Sequence, residues 1–567
     1  MDARLARRSD GRADRGQGSL AAVEAEALAA ATTLPVAAEV QAAAVPPVAA
    51  VPPVAAEVQA AAVPPVAAEM QAATEGAFRD DLERIRFSPY FARLAAVTQV
   101  VNQGSAGQVV HNRLTHTVKV TAVARAIATA LRAGDDMPLL DELGGCDPVV
   151  VQAAASAHDL GHPPFGHLGE RILDRIARGR FGLTDGFEGN AQTFRILTSL
   201  DVHGTEEHGL GLTAAVRAAV LKYPWARLGY PVQHPSRAAE RPRGATPGPS
   251  GVGSLKFSAY AVDVPEMIEV RSAYPRIAPW QQTVECSVMD LADDIAYSLH
   301  DLDDFHRAGV LQHASVAAEF RTWVRSRLEL SRQDDAELLA SDRLPGHALE
   351  QLRRSLARKD GWLYSDDVFA TAVARVGDEL VDGLLAVPFD ASIAAERAVG
   401  LFTASWIRHL QDSVMVTARP PVRAGHLLLT RQAWHEVAVL KFVHQRFVLD
   451  RPDLALLQRG QAQVLTTLVE GLDAWLDDPE DAVRAPRRLT DFIRLATDDY
   501  RELAVTAPEL LVDESGRPTT APADLVRLGR GRGIIDYVAS LTDDRAVATA
   551  SALGGHAGQL WSAGSGL

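Results

Sequence analysis

Between residues 111 and 167 the chain carries five of its 17 histidines, where even spreading would place about two. Buried imidazoles must be hydrogen-bonded or must ligate something, so this density constrains which surfaces the fold brings together. Spacing shows how the rings are carried. After His116, apolar residues recur at Val120, Val123, Ile127 and Leu131, which puts that imidazole in line with the buried stripe of a helix. Asp147-Pro148, a cap followed by proline in the first turn, opens the next helix. Its apolar face, Val151, Ala154 and Ala155, leads to His158, and Asp159 follows before Gly161 and Pro163-Pro164 stop the element. Two buried helical faces ending on histidines beside a carboxylate can supply imidazole and oxygen ligands to one divalent metal. A lone histidine on an apolar face is more often a satisfied core residue. His-Asp followed by Gly-His-Pro-Pro-Phe-Gly-His reverses that balance, because burying so many polar rings without a task is expensive.

A further ligand is expected downstream. The run from Asp290 to Asp301 keeps a helical period, and Asp293, Tyr297 and Asp301, spaced i, i+4, i+8, share one face. An acidic helix face is usually only a solvated one; the upstream histidines give this one a second meaning. Amphipathic stretches continue towards the end (Val437, Leu440, Val443 and Phe447; Leu465, Leu468, Leu472 and Trp475), and strand-like alternation is scarce. The expected class is therefore all-α, with a C-terminal helical extension.

Residues 1–75 read differently. The twelve residues Pro35–Pro46 return at Pro53–Pro64, a truncated copy lies between them, and PVAAEMQAA follows at Pro65–Ala73. Prolines at every joint leave no apolar face large enough to pack, so a disordered Ala/Pro tail is expected over 1–75. A second break, 234–254, has eight Pro or Gly among 21 residues and reads as a flexible insert. The net charge of −15 argues against a stable nucleic-acid partner. Two cysteines, Cys146 and Cys286, make no disulfide framework, and the Arg- and Asp-rich start has no apolar run of a secretory signal. A cytoplasmic protein without membrane spans is the expectation.

Taken in order, Arg113-Leu-Thr-His116, His158-Asp159 within HDLGHPPFGH, and DLADDIAYSLHDLDD resemble the dGTP triphosphohydrolase branch of the HD-domain metal-dependent phosphohydrolases. Thr98-Gln99-Val100, Phe187-Glu-Gly-Asn190-Ala-Gln192 and Lys222-Tyr223-Pro224-Trp225 agree with it, and Asp536-Tyr537 and Leu541-Thr542-Asp543 are fainter matches. The resemblance implies a catalytic domain over 76–310 and a helical region over 311–567 packed on it. It implies a divalent ion, Mg²⁺ or Mn²⁺, on His116, His158, Asp159 and Asp293, with Asp293 preferred to Asp290 and Asp294 because a Tyr follows by four residues and an Asp by eight. His167 and Glu170 match an acid/base pair, with His162 beside them. Gln99 matches the contact to the sugar 3′-hydroxyl; Arg113, Lys222, Tyr223 and Lys256 match triphosphate contacts; Tyr297 and Asp301 match contacts around the sugar and phosphates. The implied reaction converts a dNTP, dGTP above all, to deoxynucleoside and tripolyphosphate, in a homo-oligomer that can take dNTPs as effectors.

Two departures stand out. His162 occupies a position that is often Asn in bacterial relatives, and Val97 stands where many have Lys. Spacing alone supports only metal-assisted phosphoester hydrolysis. An HD enzyme acting on another nucleotide and a dNTP-sensing HD protein are the alternatives.

Overall fold

Helices begin where the sequence supplies caps. In the computed structural model, which describes residues 3–7, 65–100, 111–204, 209–229, 240–247 and 253–556, the first helix, α1, spans Pro65–Phe87. Helix α2 (Arg113–Arg132) starts at Asn112, whose side chain accepts from the Thr115 amide at 2.9 Å. Helix α3 (Pro148–Ala157) starts at Asp147, whose carboxylate accepts from Val149 at 2.7 Å. Such caps each contribute on the order of 1 kcal/mol. Helix α4 (Gly166–Phe181) and helix α5 (Gly189–Arg195) follow, then α6 (Val264–Ser272) and the 24-residue α7 (Val284–Arg307), capped by Thr283.

Helices α2, α3 and α7 pack against one another. Small side chains allow this: Ala153, Ala154, Ala155 and Ala157 of α3 are fully buried, so the three backbones approach closely and bring His116, His158 and Asp293 to one place. Beyond them, α8 (Arg431–His444) lies on α7, and α9 (Pro452–Trp475) and α11 (Pro522–Ala539) lie on α4, with α10 (Arg487–Thr506) against α11. One continuous core runs from Phe78 to Ala550. The only sheet among the described residues is two strands, β1 (Val414–Val416) and β2 (Leu427–Leu429), antiparallel with Val414 opposite Leu429. The class is all-α, as the periodicity implies. No described helix is long and apolar enough to cross a membrane.

The region from residue 311 onward belongs to the same compact unit as the helices before it; that unit comprises Met1–Ala6 and Glu75–Leu567. Most of the expected tail, 8–64, lies outside the described residues. Stretches at its two ends fall among the described residues. The last repeat copy begins α1 at Pro65, because no proline follows before Pro89 and alanine is the strongest helix former. Residues 3–6 dock on the body: the Ala6 carbonyl accepts from the Ala214 amide (2.8 Å) and from Arg217 (2.9 Å), and Arg4 pairs with the wholly buried Glu285. Arg4→Ala leaves that carboxylate buried without its cation, so we expect a loss of about 1–3 kcal/mol, read as a lowered denaturation midpoint with an unchanged slope. The 234–254 insert is anchored wherever it is described. Arg243 donates to Asp294 at 2.8 Å, and the Ser254 amide donates to the Arg227 carbonyl at 2.8 Å. Its Pro/Gly content reads as looseness, but turns tied down by charges have the same composition.

Candidate active site

His116 leaves the buried face of α2, His158 stands at the end of α3, and Asp293 comes from the middle of α7. One ligand atom from each lies within 4.8 Å of the others. His116 Nε2 is 3.1 Å from Asp293 Oδ1, and His158 Nε2 is 3.8 Å from Asp293 Oδ1 and 3.5 Å from Asp159 Oδ1. Donors each about 2.1 Å from a shared ion stand roughly 3.0–3.5 Å apart, close to these separations. His158 Nδ1 donates to the Ala155 carbonyl at 2.7 Å, leaving the buried Nε2 without a hydrogen-bond partner. An anchored imidazole presenting its other nitrogen is how histidine ligates metals, so the residues fit a divalent cation. Asp159 lies beside the three-residue group rather than within it: its carboxylate is shared with Arg113 (3.0 Å) and His162 (3.1 Å). Against the upward push of burial, His158, Arg113 and His162 hold Asp159 well below the usual carboxylate range. For Asp293 Lys222 and the two histidines likewise outweigh burial.

The neighbouring carboxylates of α7 have other partners. Asp290 pairs with Lys222 at 2.7 Å and accepts from Gln282 at 2.9 Å. Asp294 pairs with Lys441 (2.6 Å) and Arg243 (2.8 Å). Among the described residues, only Asp293 of the three stands with the histidines. Lys222 also reaches Asp293 (3.1 Å), and these acids raise its pKa well above the usual range despite burial.

The loop 161–167 is held in an unusual shape. Phe165 and Gly166 both adopt left-handed backbone, φ 63° and 57°, a conformation that costs a non-glycine residue roughly 1–3 kcal/mol. Asp543, far along the chain, holds it there. Its carboxylate accepts from the Phe165 amide (2.9 Å), the Thr98 amide (2.9 Å) and the Thr98 hydroxyl. Arg93 adds a second tie, donating to the carbonyls of His162, Ala539 (2.5 Å) and Ser540 (3.1 Å). A Cβ on Gly166 would stand 2.6 Å from Arg113 Nη2. Gly166→Ala is therefore expected to strain the backbone and push Arg113 off Asp159. Since a misplacement near 1 Å can cost about 10²-fold, turnover should fall by roughly that factor with metal content retained, measured by steady-state kinetics and metal analysis.

His167, the second residue of α4, is the exposed member of the next cluster, with a side chain 63% exposed. Its Nδ1 meets Glu170 at 2.9 Å; the buried His162 is 3.5 Å from the same carboxylate, and the two rings sit edge to face at 5.1 Å. Burial, then Arg113, lowers the pKa of His162 to about 4, so it is neutral at ordinary pH. Glu170 is held well below the carboxylate range by Lys256 and the two histidines, against burial. Lys256 lies 3.5 Å from Glu170 and 2.8 Å from Glu188, which brings it into the site despite the long insert. The three groups His162, His167 and Glu170 also lie close enough together to hold a cation, but the Lys256 ammonium already occupies the carboxylate side.

Arg113 is buried, and its Nε and Nη2 have no hydrogen-bond partner. Gln99 Oε1 is likewise buried and unpartnered. Tyr223 packs on Trp225 with ring centres 5.7 Å apart. Tyr297 is met by a residue the sequence did not single out: His444, at the end of α8, lies 2.8 Å from its hydroxyl and 3.3 Å from Asp301. Burial lowers the pKa of His444 to about 4 and raises that of Asp301 well above the carboxylate range. A neutral imidazole and a carboxyl pushed towards its protonated form thus flank the phenol. His111 goes elsewhere: its amide donates to Asp304 at 2.7 Å, and its ring contacts Asp304 and Lys119. Asp543, Arg93 and His444 share one reason for escaping sequence reading. Each acts from an element remote in sequence, with only the Leu541-Thr542-Asp543 match as a hint.

The HD domain family model matches residues 113–200, the segment from Arg113 through α5. A deoxyguanosinetriphosphate triphosphohydrolase-like protein of Streptomyces coelicolor is 33% identical over 494 residues, covering 85% of this chain and 93% of the relative. Proteins of the same description from Bifidobacterium longum and Corynebacterium efficiens are each 30% identical, covering 84% and 82% of this chain and 82% and 89% of the relatives.

Proposed function

Since this chain belongs to the HD-domain family of deoxyguanosinetriphosphate triphosphohydrolase-like proteins, we propose that it hydrolyses deoxynucleoside triphosphates at the α-phosphate, dGTP first among them, releasing deoxynucleoside and tripolyphosphate. The observation that carries this reading is Arg113. A buried guanidinium with two unpaired nitrogens, sharing Asp159 beside the His116–His158–Asp293 group, suits an anionic oxygen next to a metal. His116, His158 and Asp293 hold the divalent ion, Mg²⁺ or Mn²⁺, with Asp159 as the fourth ligand. When bound, such an ion polarises a phosphoryl oxygen and makes water a better nucleophile at neutral pH.

The chain's own residues do the rest. Lys222 and Arg113 neutralise phosphate charge, Lys222 by exchanging part of its pairing with Asp290, and Tyr223 and Lys256 extend that contact. His167, oriented through Nδ1 by ionised Glu170, presents Nε2 to hand a proton to the departing 5′-oxygen. His162, neutral and buried, keeps Glu170 and Asp159 apart. Tyr297, steadied by His444, and Asp301 border the sugar.

Gln99 Oε1 accepts from the 3′-hydroxyl. Gln99→Ala is therefore expected to raise KM and leave kcat within a few-fold, and to weaken discrimination against 2′,3′-dideoxy-GTP, because the amide no longer penalises the missing hydroxyl.

Phosphorus NMR of products from each dNTP with Mg²⁺ or Mn²⁺ tests the reaction. Tripolyphosphate with free deoxynucleoside is expected; orthophosphate or pyrophosphate as first product would overturn the regiochemistry. Binding of dNTPs without turnover with either ion would favour a nucleotide sensor.

A further inference from the structure

Helix α6, the segment after it and the first half of α11 line a half-open cavity of about 680 Å³. None of its lining residues belongs to the His116–His158–Asp293 group or to the His162–Glu170 cluster. Most of the wall is apolar, with Val264, Met267, Ile277, Leu511 and Leu528 among its residues and Trp225 closing one side. The size falls in the range of pockets that enclose a small organic molecule.

Polar atoms in that wall are unusual. Arg227, 3% exposed, gives Nη1 to Asp174 at 2.7 Å, and its Nη2 is buried with no hydrogen-bond partner. Tyr500, 2% exposed, has a hydroxyl that lies by the Arg532 guanidinium but makes no well-formed hydrogen bond. Arg271 gives Nη2 to the Ala278 carbonyl at 2.9 Å and keeps Nη1 buried and unpartnered. No ion pair to a carboxylate is seen for Arg271 among the described residues; burial pulls its pKa down, and the groups that act on its charge are Cys286 and Tyr274. Two carboxylates do line the cavity. Asp185 is already shared between Arg532 (2.9 Å) and the Ala261 amide (2.9 Å), and Glu509 is an exposed residue. Three covered donor atoms are therefore left on a mostly apolar wall, one of them on the partly buried Arg271, with no carboxylate beside it among the described residues. A covered polar atom without a partner is costly unless a ligand completes it.

We propose that this cavity is a binding site for a small amphipathic anion, with the apolar body against Met267, Ile277 and Trp225 and the acidic group on Arg271, Arg227 and Tyr500. The cavity shares walls with the catalytic side. Trp225 and Trp280 also line a second cavity, about 510 Å³, whose other residues include Lys222, Asp290 and Tyr297. The site is independent of the hydrolytic reading, and its test needs neither metal nor nucleotide.

Isothermal titration of the full chain with dodecanoate, and fluorescence titration with 8-anilinonaphthalene-1-sulfonate, read the binding. Saturable one-to-one binding of at least one probe is expected, with dodecanol and dodecyltrimethylammonium at least tenfold weaker than dodecanoate. Arg271→Met should weaken the anion at least tenfold and leave dNTP hydrolysis without probe unchanged. Met267→Trp, which fills the chamber without touching the charge, should abolish binding. Failure of both anions to saturate would overturn the proposal, as would equal affinity for dodecanol, or undiminished anion binding in either variant. Should Arg271→Met not fold, the dodecanol comparison and Met267→Trp decide alone.

Discussion

Asp293→Ala is expected to remove bound metal and lower turnover by at least ~10³-fold, while Asp290→Ala keeps its metal and most of its activity. The difference follows from partners. Asp293 Oδ1 is 3.1 Å from His116 Nε2 and 3.8 Å from His158 Nε2, whereas Asp290 is engaged by Lys222 and Gln282. A metal's stabilisation of transition-state charge is worth several kcal/mol, and each 1.36 kcal/mol is tenfold in rate, which sets the size of the loss. Without Asp290, Lys222 still has Asp293 at 3.1 Å, so the phosphate side keeps its cation. Metal content and kcat of the two variants check this. A dead Asp290 variant beside an active Asp293 variant would show that the ligand is the other carboxylate.

His167→Ala is expected to fail in another way. We expect kcat to fall by ~10²–10⁴, the span of general acid–base catalysis, with metal content and thermal stability nearly unchanged. The ring is 63% exposed and bonded only to Glu170 among the described groups, so little packing is lost with it. Glu170→Gln should show a smaller loss, because the imidazole keeps a hydrogen-bond partner in the same place. Near-normal kcat in a folded, metal-loaded His167→Ala protein would remove this residue from the chemical step.

The helices and most of the candidate site were legible for one reason: local periodicity reports which side chains share a buried face. His116 continues the stripe of Val120, Val123 and Ile127, and His158 ends the face of Val151 and Ala154. The three residues on α7 come four apart. Where a group's role depends on a partner far along the chain, periodicity is silent. Asp543 holds Phe165 across 378 residues, and His444 meets Tyr297 across 147. Nothing near Asp543 in sequence says that a strained loop awaits it. Asp159 shows the same limit from the other side: adjacency to His158 is visible in the sequence, but its sharing with Arg113 and His162 is not. The four docked residues at the N-terminus carry no periodicity at all, and the start of α1 at Pro65 lies in the last repeat copy, behind the prolines of the earlier ones.

The Asp543 tie also orders events during synthesis. The segment that matches the HD domain ends at residue 200, yet the loop bearing His162 and His167 lacks its anchor until residue 543 has left the ribosome. At about 5–20 residues per second, that wait lasts roughly 20–70 s. A nascent chain therefore exposes its histidines and acids well before it can hold them in working shape. A chain broken off between residues 310 and 543 carries the histidines and Asp293 but not the carboxylate that holds their loop.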